Sequence, residues 1–185
     1  MKPLKRLFVA LSASKGIEVQ ATQLIKKLKQ GSDQKEIDVR WSRPENLHVT
    51  LLFLGETQES EIPKIKNAIQ QVVDKLEPFS LKVENISAFP DVNSGRVVFI
   101  QVQRSQKILD LVTALEQSLG YPESTNYVPH MTIGRLRNPK SVKDMISPFV
   151  RKKFGKISVD EIILYESIQA GPYPVYKVIE RFQAP

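Results

Sequence analysis

The chain has 185 residues, of which 41% are hydrophobic and 25% charged, as is typical of one globular domain or of one domain built from two similar lobes. It contains no cysteine, which excludes disulfides, thiolate nucleophiles, iron–sulfur clusters and cysteine-ligated zinc, and fits a reducing compartment. The net charge of +7 favours an anionic partner such as nucleic acid or a phosphate ester. We expect a single bilobal domain over residues 1–185.

The N-terminal segment predicts a buried strand and then a helix. Residues 1–14 combine a basic start, a short apolar run and small residues, as a signal peptide does, but the run 7–11 is shorter than the usual signal core. We therefore interpret 7–11 as a strand, and expect a cytoplasmic protein because no stretch is long enough to span a membrane. Apolar residues recur at helical spacing in 17–29, and 37–41 is a second predicted strand.

The rest of the chain alternates helices and strands. Helices are predicted at residues 60–76, 105–119 and 141–150, and strands at 47–54, 79–86, 96–102, 128–136, 157–167 and 175–182. The order strand, helix, strand, helix occurs twice, about 80 residues apart, which suggests an internal duplication. Consecutive strands within 79–102 and 157–182 resemble hairpins, so we expect an α+β fold with antiparallel or mixed sheets.

The chain has two histidines, and each is followed two residues later by a threonine. Side chains alternate between the two faces of a strand, so His48 shares a face with Thr50, and His130 shares a face with Thr132. Histidine is well suited to proton transfer near neutral pH. Two imidazoles and two hydroxyls around one cleft could supply a general acid, a general base and hydrogen bonds to phosphate, which suits cleavage of a phosphodiester.

Other catalytic chemistries lack their characteristic residues. A two-histidine zinc site needs carboxylates at ligand spacing, and the nearest acid, Glu45, lies in a turn. The sequence has neither the Gly-x-Ser-x-Gly of a serine hydrolase nor a glycine-rich phosphate loop. Both histidines could instead be structural, although two imidazoles on half-buried strands are costly without a function.

Basic residues near the two motifs are candidate substrate contacts. Arg43 precedes the first motif, and Arg135, Arg137 and Lys140 follow the second. Strand alternation places Arg135 opposite His130, so we expect it to reach a cleft only if the strand twists or ends there. The alternative for each of these side chains is a solvated surface charge.

Aromatic residues near the motifs are a second group of candidates. Four could stack on a nucleotide base, namely Trp41, Phe53, Phe89 and Tyr127. Phe53 falls on the strand face opposite His48, so we expect it to pack in the core. Tyr127 lies close to the second motif and remains a candidate substrate contact.

The residues around both histidines resemble those of the 2H phosphoesterases. Residues 44–56 and 128–135 are similar to the two His-x-Thr frames of that superfamily, most closely to its RNA 2′,3′-cyclic phosphodiesterase branch, historically called 2′-5′ RNA ligases. Residues 6–11 and 87–90 also resemble that family, so the similarity covers essentially the whole chain. The second motif departs from the family pattern at residues 127–128 and at Gly134, where alanine is frequent.

The resemblance implies two pseudo-symmetric α+β lobes around a central cleft, with helices on the outer faces and one His-x-Thr strand from each lobe. It implies hydrolysis of a 2′,3′-cyclic phosphate to a 2′-phosphate without a metal or a cofactor. His48 would donate a proton to the leaving 3′ oxygen, His130 would activate water, and Thr50 and Thr132 would hold the phosphate. The expected partners are RNA ends or nucleotides that carry the cyclic phosphate, bound by a monomer that contacts no membrane.

Three other functions stay open. Some members of the family join tRNA halves through a 2′-5′ linkage, the reverse reaction on a different acceptor. The chain could also be a non-catalytic RNA-binding module of the same fold, although the intact histidines and threonines argue against that. The third open function is that of a phosphodiesterase for a small cyclic metabolite. The residues proposed to contact substrate in any of these are Arg43, Tyr127 and Arg135.

Overall fold

A computed structural model describes residues 4–171 and 173–185, so residues 1–3 of the segment compared with a signal peptide lie outside it. The helices are α1 (Lys15–Gln34), α2 (Ile62–Val73), α3 (Gln106–Leu119) and α4 (Lys143–Ile146). The strands are β1 (Leu4–Ser12), β2 (Val39–Trp41), β3 (His48–Gln58), β4 (Phe79–Phe89), β5 (Gly95–Val102), β6 (His130–Lys140), β7 (Lys153–Val159), β8 (Glu161–Ala170) and β9 (Tyr173–Gln183). None of the helices in the described part of the chain is long and apolar enough to cross a membrane.

The nine strands form one antiparallel sheet with the two histidine strands in its middle. The strand order is β7-β4-β5-β6-β3-β1-β8-β9, and β2 pairs with β6 beside β3. The sheet order thus has two halves of four strands, β7-β4-β5-β6 and β3-β1-β8-β9, and each half has a histidine strand where it meets the other. The predicted α+β fold with two similar lobes is confirmed, with antiparallel pairing throughout and a sheet that continues from one lobe into the other.

The helices cover the face of the sheet that lies opposite the histidines. The residues that alternate with the motif side chains are Val49 and Leu51 in β3 and Met131 and Ile133 in β6, and they are only 0–3% exposed. They belong to the same hydrophobic core as the apolar faces of α1, α2 and α3. Because the helices occupy that side, the opposite face of both strands is left to line a cleft.

A β-bulge interrupts β3 directly after the first motif. Thr50 pairs with Ala10 of β1 and Leu52 pairs with Val9, so Leu51 is an extra residue without its own partner. A one-residue bulge reverses the alternation of the side chains that follow it. Leu52 and Phe53 therefore face the side opposite to the one that simple alternation predicts, until a second extra residue, Leu54, restores the alternation.

The same irregularity occurs at the equivalent position of β6. Thr132 pairs with Phe99 of β5 and Gly134 pairs with Val98, so Ile133 is the extra residue. Both histidine strands thus carry a bulge three residues after the histidine. The pseudo-symmetry of the two lobes extends to this detail of the backbone.

The strand predicted at residues 157–167 is wrong as a single element. β7 ends at Val159 and β8 begins at Glu161, and the two lie in different halves of the sheet, since β7 pairs with β4 while β8 pairs with β1 and β9. Asp160 joins them, and its carbonyl oxygen accepts hydrogen bonds from the backbone N–H of Ala184 and the side-chain amide of Gln183. The chain crosses from one lobe to the other at this residue.

Candidate active site

The histidine face of the sheet lines a cleft of about 570 Å³. It brings together the four side chains of the two motifs, namely His48, Thr50, His130 and Thr132. β3 and β6 are bridged where Val49 pairs with Met131. Continuing this antiparallel register by one residue in each direction places each histidine across from the threonine of the other motif. The two motifs therefore meet head to tail around one space.

The backbone holds both imidazoles in the same orientation. Nδ1 of His48 lies 2.7 Å from the carbonyl oxygen of Asn46, and Nδ1 of His130 lies 2.8 Å from that of Val128. Because a carbonyl oxygen can only accept, Nδ1–H is the donor in both rings. Nε2 then carries the lone pair of the neutral ring and is the nitrogen available for proton transfer. Nε2 of His48 lies 3.0 Å from Oγ1 of Thr50.

Burial makes both histidines more acidic than free imidazole. It lowers the pKa of His48 to about 4, opposed by the hydrogen bond to Asn46 and reinforced by His130 and Arg135. Burial also lowers the pKa of His130, and the positive charge of Arg135 acts in the same direction. Both rings are therefore neutral at pH 7 in the free protein. An anion in the cleft would raise both pKa values, because it stabilises the imidazolium.

Aromatic rings provide much of this burial. The ring centroids of Phe8 and Tyr176 lie 5.0 and 5.1 Å from that of His48. In the other motif the imidazole packs edge to face against Phe89 and Phe99, at 5.0 and 5.4 Å. Each imidazole thus packs against two aromatic side chains, and the resulting loss of water disfavours its charged form.

Four arginines line the cleft, and no Asp or Glu is found among its described lining residues; the arginines are Arg6, Arg40, Arg43 and Arg135. Arg135 reaches the cleft because the bulge at Ile133 brings it to the face of the histidine. The sequence-based placement of Arg135 opposite His130 is therefore wrong. Arg43 extends from the turn before the first motif, with its guanidinium 4.7 Å from the ring centroid of Tyr173. A cleft with this charge is suited to an anionic ligand.

The other two basic candidates lie outside the cleft. A guanidinium nitrogen of Arg137 is 4.0 Å from a carboxylate oxygen of Asp38, and Lys140 donates hydrogen bonds to the carbonyl oxygens of Lys35 and Glu36 beyond α1. Across residues 4–171 and 173–185, no three His, Asp or Glu side chains are grouped as metal ligands would be.

Phe53 lies in the cleft wall, and the prediction that it packs in the core is wrong. Its side chain is 62% exposed, and its ring centroid is 6.2 Å from that of Phe8. The bulge at Leu51 is the reason, because it returns Phe53 to the face of His48. Two other aromatic candidates, Trp41 and Phe89, also line the cleft.

Tyr127 is not among the residues that line the cleft, which corrects its interpretation as a substrate contact. Its hydroxyl donates to the carbonyl oxygen of Thr50 at 2.9 Å, and burial raises its pKa. Tyr121, from the same segment, donates to the carbonyl oxygen of Leu54, also at 2.9 Å. Two tyrosines thus tie the segment that precedes β6 to the backbone of β3, and Tyr127 supports the first motif directly.

Several cleft residues were missed because their strands carry no motif. They are Arg6, Phe8, Arg40, Tyr173 and Tyr176. Arg6 and Phe8 lie within residues 6–11, a segment that supported the family resemblance, so a signal for them was present. The sequence gives no comparable signal for Tyr173 and Tyr176, because the position of β9 depends on its pairing with β8.

Comparison with known proteins agrees with these features. The family model described as the 2′-5′ RNA ligase superfamily matches residues 17–170. The curated RNA 2′,3′-cyclic phosphodiesterase of Archaeoglobus fulgidus is 32% identical, over 96% of this chain and 99% of its own length. That of Aquifex aeolicus is 31% identical, over 96% of this chain and 96% of its own length.

Two solved structures share the fold. The protein TT0787 of Thermus thermophilus has 25% sequence identity and a TM-score of 0.77, covering 96% of this chain and 97% of its own. E. coli LigT in its apo form has 20% identity and a TM-score of 0.71, covering 100% of this chain and 99% of its own. On the match of the family model and the full-length curated relatives, this chain belongs to the 2′-5′ RNA ligase superfamily.

Proposed function

We propose that this protein hydrolyses 2′,3′-cyclic phosphates at RNA ends or on nucleotides and leaves a 2′-phosphate. The observation that carries the proposal is the pair of His-x-Thr half-sites that face one another across an arginine-lined cleft. Two relatives that match nearly the full chain are named RNA 2′,3′-cyclic phosphodiesterase, which supports the same activity here.

The two histidines act in opposite directions in this reaction. His130 accepts a proton from water at Nε2, and the water oxygen attacks phosphorus. The bond between phosphorus and the 3′ oxygen breaks, and His48 protonates that oxygen, so the phosphate remains on the 2′ oxygen. These roles require His48 to be protonated and His130 to be neutral when the substrate is bound, and the negative charge of the substrate raises the pKa of His48 toward that state. Because burial favours the neutral ring, a protonated His48 is a strong acid.

The remaining cleft residues bind the phosphate. The hydroxyls of Thr50 and Thr132 donate hydrogen bonds to its non-bridging oxygens. Arg135 lines the same cleft as both imidazoles, so it can balance the charge that builds up on the phosphate. Arg43 contacts the substrate from the edge of the cleft. No step requires a metal ion.

The organisation expected from the sequence is part of the same proposal. One sheet runs through the described residues, which supports a single bilobal domain over residues 1–185. The monomeric state stays a prediction. The cytoplasmic location stays a prediction.

The test is an assay with the EDTA-treated protein and cytidine 2′,3′-cyclic phosphate. Chromatography against authentic cytidine 2′- and 3′-phosphates should show the 2′-phosphate alone. His48→Ala and His130→Ala should each lose activity by about 100-fold or more, the contribution typical of a general acid or base. Thermal melting of both variants confirms that they fold. A 3′-phosphate product, or full activity in either folded variant, would contradict the mechanism.

A further inference from the structure

β2 and β6 place two positive charges directly opposite each other. Arg40 pairs with Arg135 in the antiparallel register, and both side chains are exposed. Like charges at directly opposed positions destabilise a sheet. Two residues further along, just before β2 begins, Asp38 lies beside Arg137 of β6, so that pair has opposite charges. Among residues 4–171 and 173–185, neither arginine of the Arg40–Arg135 pair has an ion-pair partner, so an anion bound here would relieve their repulsion.

A groove of about 460 Å³ lies beside the cleft at this position. It is lined by Asp38, Arg40, Arg135, Leu136 and Arg137. Arg40 and Arg135 also line the cleft, so the two spaces share a wall. With three arginines and one aspartate, the groove keeps a positive charge after its internal ion pair is formed. It extends the anion-binding cleft along the β2–β6 ladder.

The covalent structure of the substrate determines what can enter this groove. A 2′,3′-cyclic phosphate ends an RNA strand, so the terminal nucleotide is joined to the rest of the strand only through its 5′ oxygen. The next phosphate along the strand is therefore the 5′ phosphate of that same nucleotide. Arg135 and Arg137 are two residues apart on one strand, or about 7 Å, which suits consecutive phosphates of an extended strand.

We propose that Arg40, with Arg137 beyond it, binds the phosphodiester on the 5′ side of the terminal nucleotide, while Arg135 stays with the reacting phosphate. This inference rests on the proposed function and adds a second phosphate site to it. The protein then selects the end of an RNA strand over a free cyclic nucleotide. The strand leaves the cleft along β2 and β6.

Another basic segment provides a matched control. Residues 151–153 contain three positive charges, but they precede and enter β7, the edge strand that β4 and β5 separate from β6. Arg151 is exposed and lines neither the cleft nor the groove. Arg151→Gln removes the same charge as Arg40→Gln at a distance from the proposed site.

The experiment compares two substrates that differ by one phosphate, cytidine 2′,3′-cyclic phosphate and its 5′-phosphorylated form. The wild-type protein should have a kcat/KM about tenfold higher for the 5′-phosphorylated form, the factor that one charge-assisted hydrogen bond provides. Arg40→Gln should bring the ratio of the two kcat/KM values close to one. Arg151→Gln should leave the ratio at its wild-type value.

A change in the substrate tests the same point without a mutation. In a dinucleotide that ends in the cyclic phosphate, a neutral methylphosphonate linkage should lose the advantage of the natural phosphodiester. Two results would overturn the second phosphate site and leave the proposed function supported. One is equal kcat/KM values of the wild type for the two cytidine substrates. The other is a preference for the 5′-phosphorylated substrate that persists in Arg40→Gln. If the folded wild-type protein turns over none of these substrates, both proposals are overturned.

Discussion

The two imidazoles have the same hydrogen bond at Nδ1, and their other contacts make them differ. Nδ1 donates to a carbonyl two residues upstream in both, so the backbone alone does not distinguish acid from base. His48 also contacts Thr50 through Nε2 and has the stronger burial effect on its pKa. The proposed division of labour therefore depends on which ring is charged once the substrate has bound.

A titration of the histidines followed by NMR checks this electrostatic account. In the free protein both pKa values should lie below 6.5, with that of His48 the lower, and cytidine 2′-phosphate should raise both because an anion stabilises the imidazolium. Arg135→Gln should raise both values in the free protein, since it removes a nearby positive charge. Arg151→Gln is the control and should change neither. A His48 pKa at or above 6.5 in the free protein would contradict the account.

Gly134 lies where the structure leaves no room for a side chain. A Cβ at this position would lie 2.8 Å from both Cε3 of Trp41 and Cγ1 of Val39, closer than ordinary contacts allow. Trp41 pairs with Gly134 across the β2–β6 ladder and also lines the cleft. The glycine therefore allows the indole to lie against β6 at the edge of the cleft.

Gly134→Ala should disturb Trp41 and destabilise the fold. We expect a loss of about 1–3 kcal/mol in the free energy of unfolding, the usual cost of overpacking, measured by urea denaturation. Trp41 is the only tryptophan, so its fluorescence should report the displacement directly. Gly16→Ala, where a Cβ has open space in α1, is the matched control and should not destabilise. Gly134→Ala with unchanged stability and unchanged fluorescence would refute the steric explanation.

The helices and most strands could be predicted because their apolar residues follow simple periods. The bulges could not, since an extra residue such as Leu51 or Ile133 is itself apolar and buried and leaves the pattern looking regular. This is why Phe53 and Arg135 were assigned to the wrong face. The break at Asp160 was missed for a related reason, because buried apolar residues continue on both sides of it. The bulges and the break at Asp160 depend on pairing between strands that are distant in sequence, and local sequence patterns do not predict that pairing.

The segment before β6 offers a test of how the first motif is held in place. Tyr127→Phe and Tyr121→Phe each remove one hydroxyl that donates to a carbonyl of β3, so each should cost about 1 kcal/mol of unfolding free energy. Only Tyr127→Phe should also lower kcat for the cyclic nucleotide, because its acceptor belongs to Thr50. Steady-state kinetics and urea denaturation of both variants measure this difference. Equal kinetics in the two variants would assign Tyr127 a role in stability alone.

At the scale of the molecule, the cleft lies where the two halves of one sheet meet. The matched histidine frames and the repeated order of elements predicted two half-sites, and the fold places them side by side in β3 and β6. The aromatic rings over His48 come from β1 and β9, which lie far apart in sequence. That part of the cleft could not be predicted from local patterns.

Folding stability should depend on pH through the histidines. Both have a lower pKa in the folded protein than the usual 6.5, so the unfolded chain binds more protons as the pH falls through that range. The free energy of unfolding should therefore decline from about pH 6.5 toward about pH 4, the folded-state pKa of His48. Urea denaturation at pH 7 and at pH 5 measures how much unfolding free energy is lost between the two pH values. This loss should be smaller in His48→Gln than in the wild type, by on the order of 1 kcal/mol. An equal loss in the two proteins would contradict this origin.

The crossing at Asp160 also has a consequence for the order in which the molecule is made. The half of the sheet that holds His130 is built from β4 to β7, one uninterrupted stretch of chain that can pair as soon as it has been synthesised. The half that holds His48 starts with β1 and β3 but needs β8 and β9, so its closure requires contacts of very long sequence separation, which form slowly. A nascent chain on the ribosome thus carries one finished half-site and one open half-site until β9 emerges and Tyr176 covers His48. Of the nine strands, β9 is the last to be made, so the cleft can be completed only after it has been synthesised.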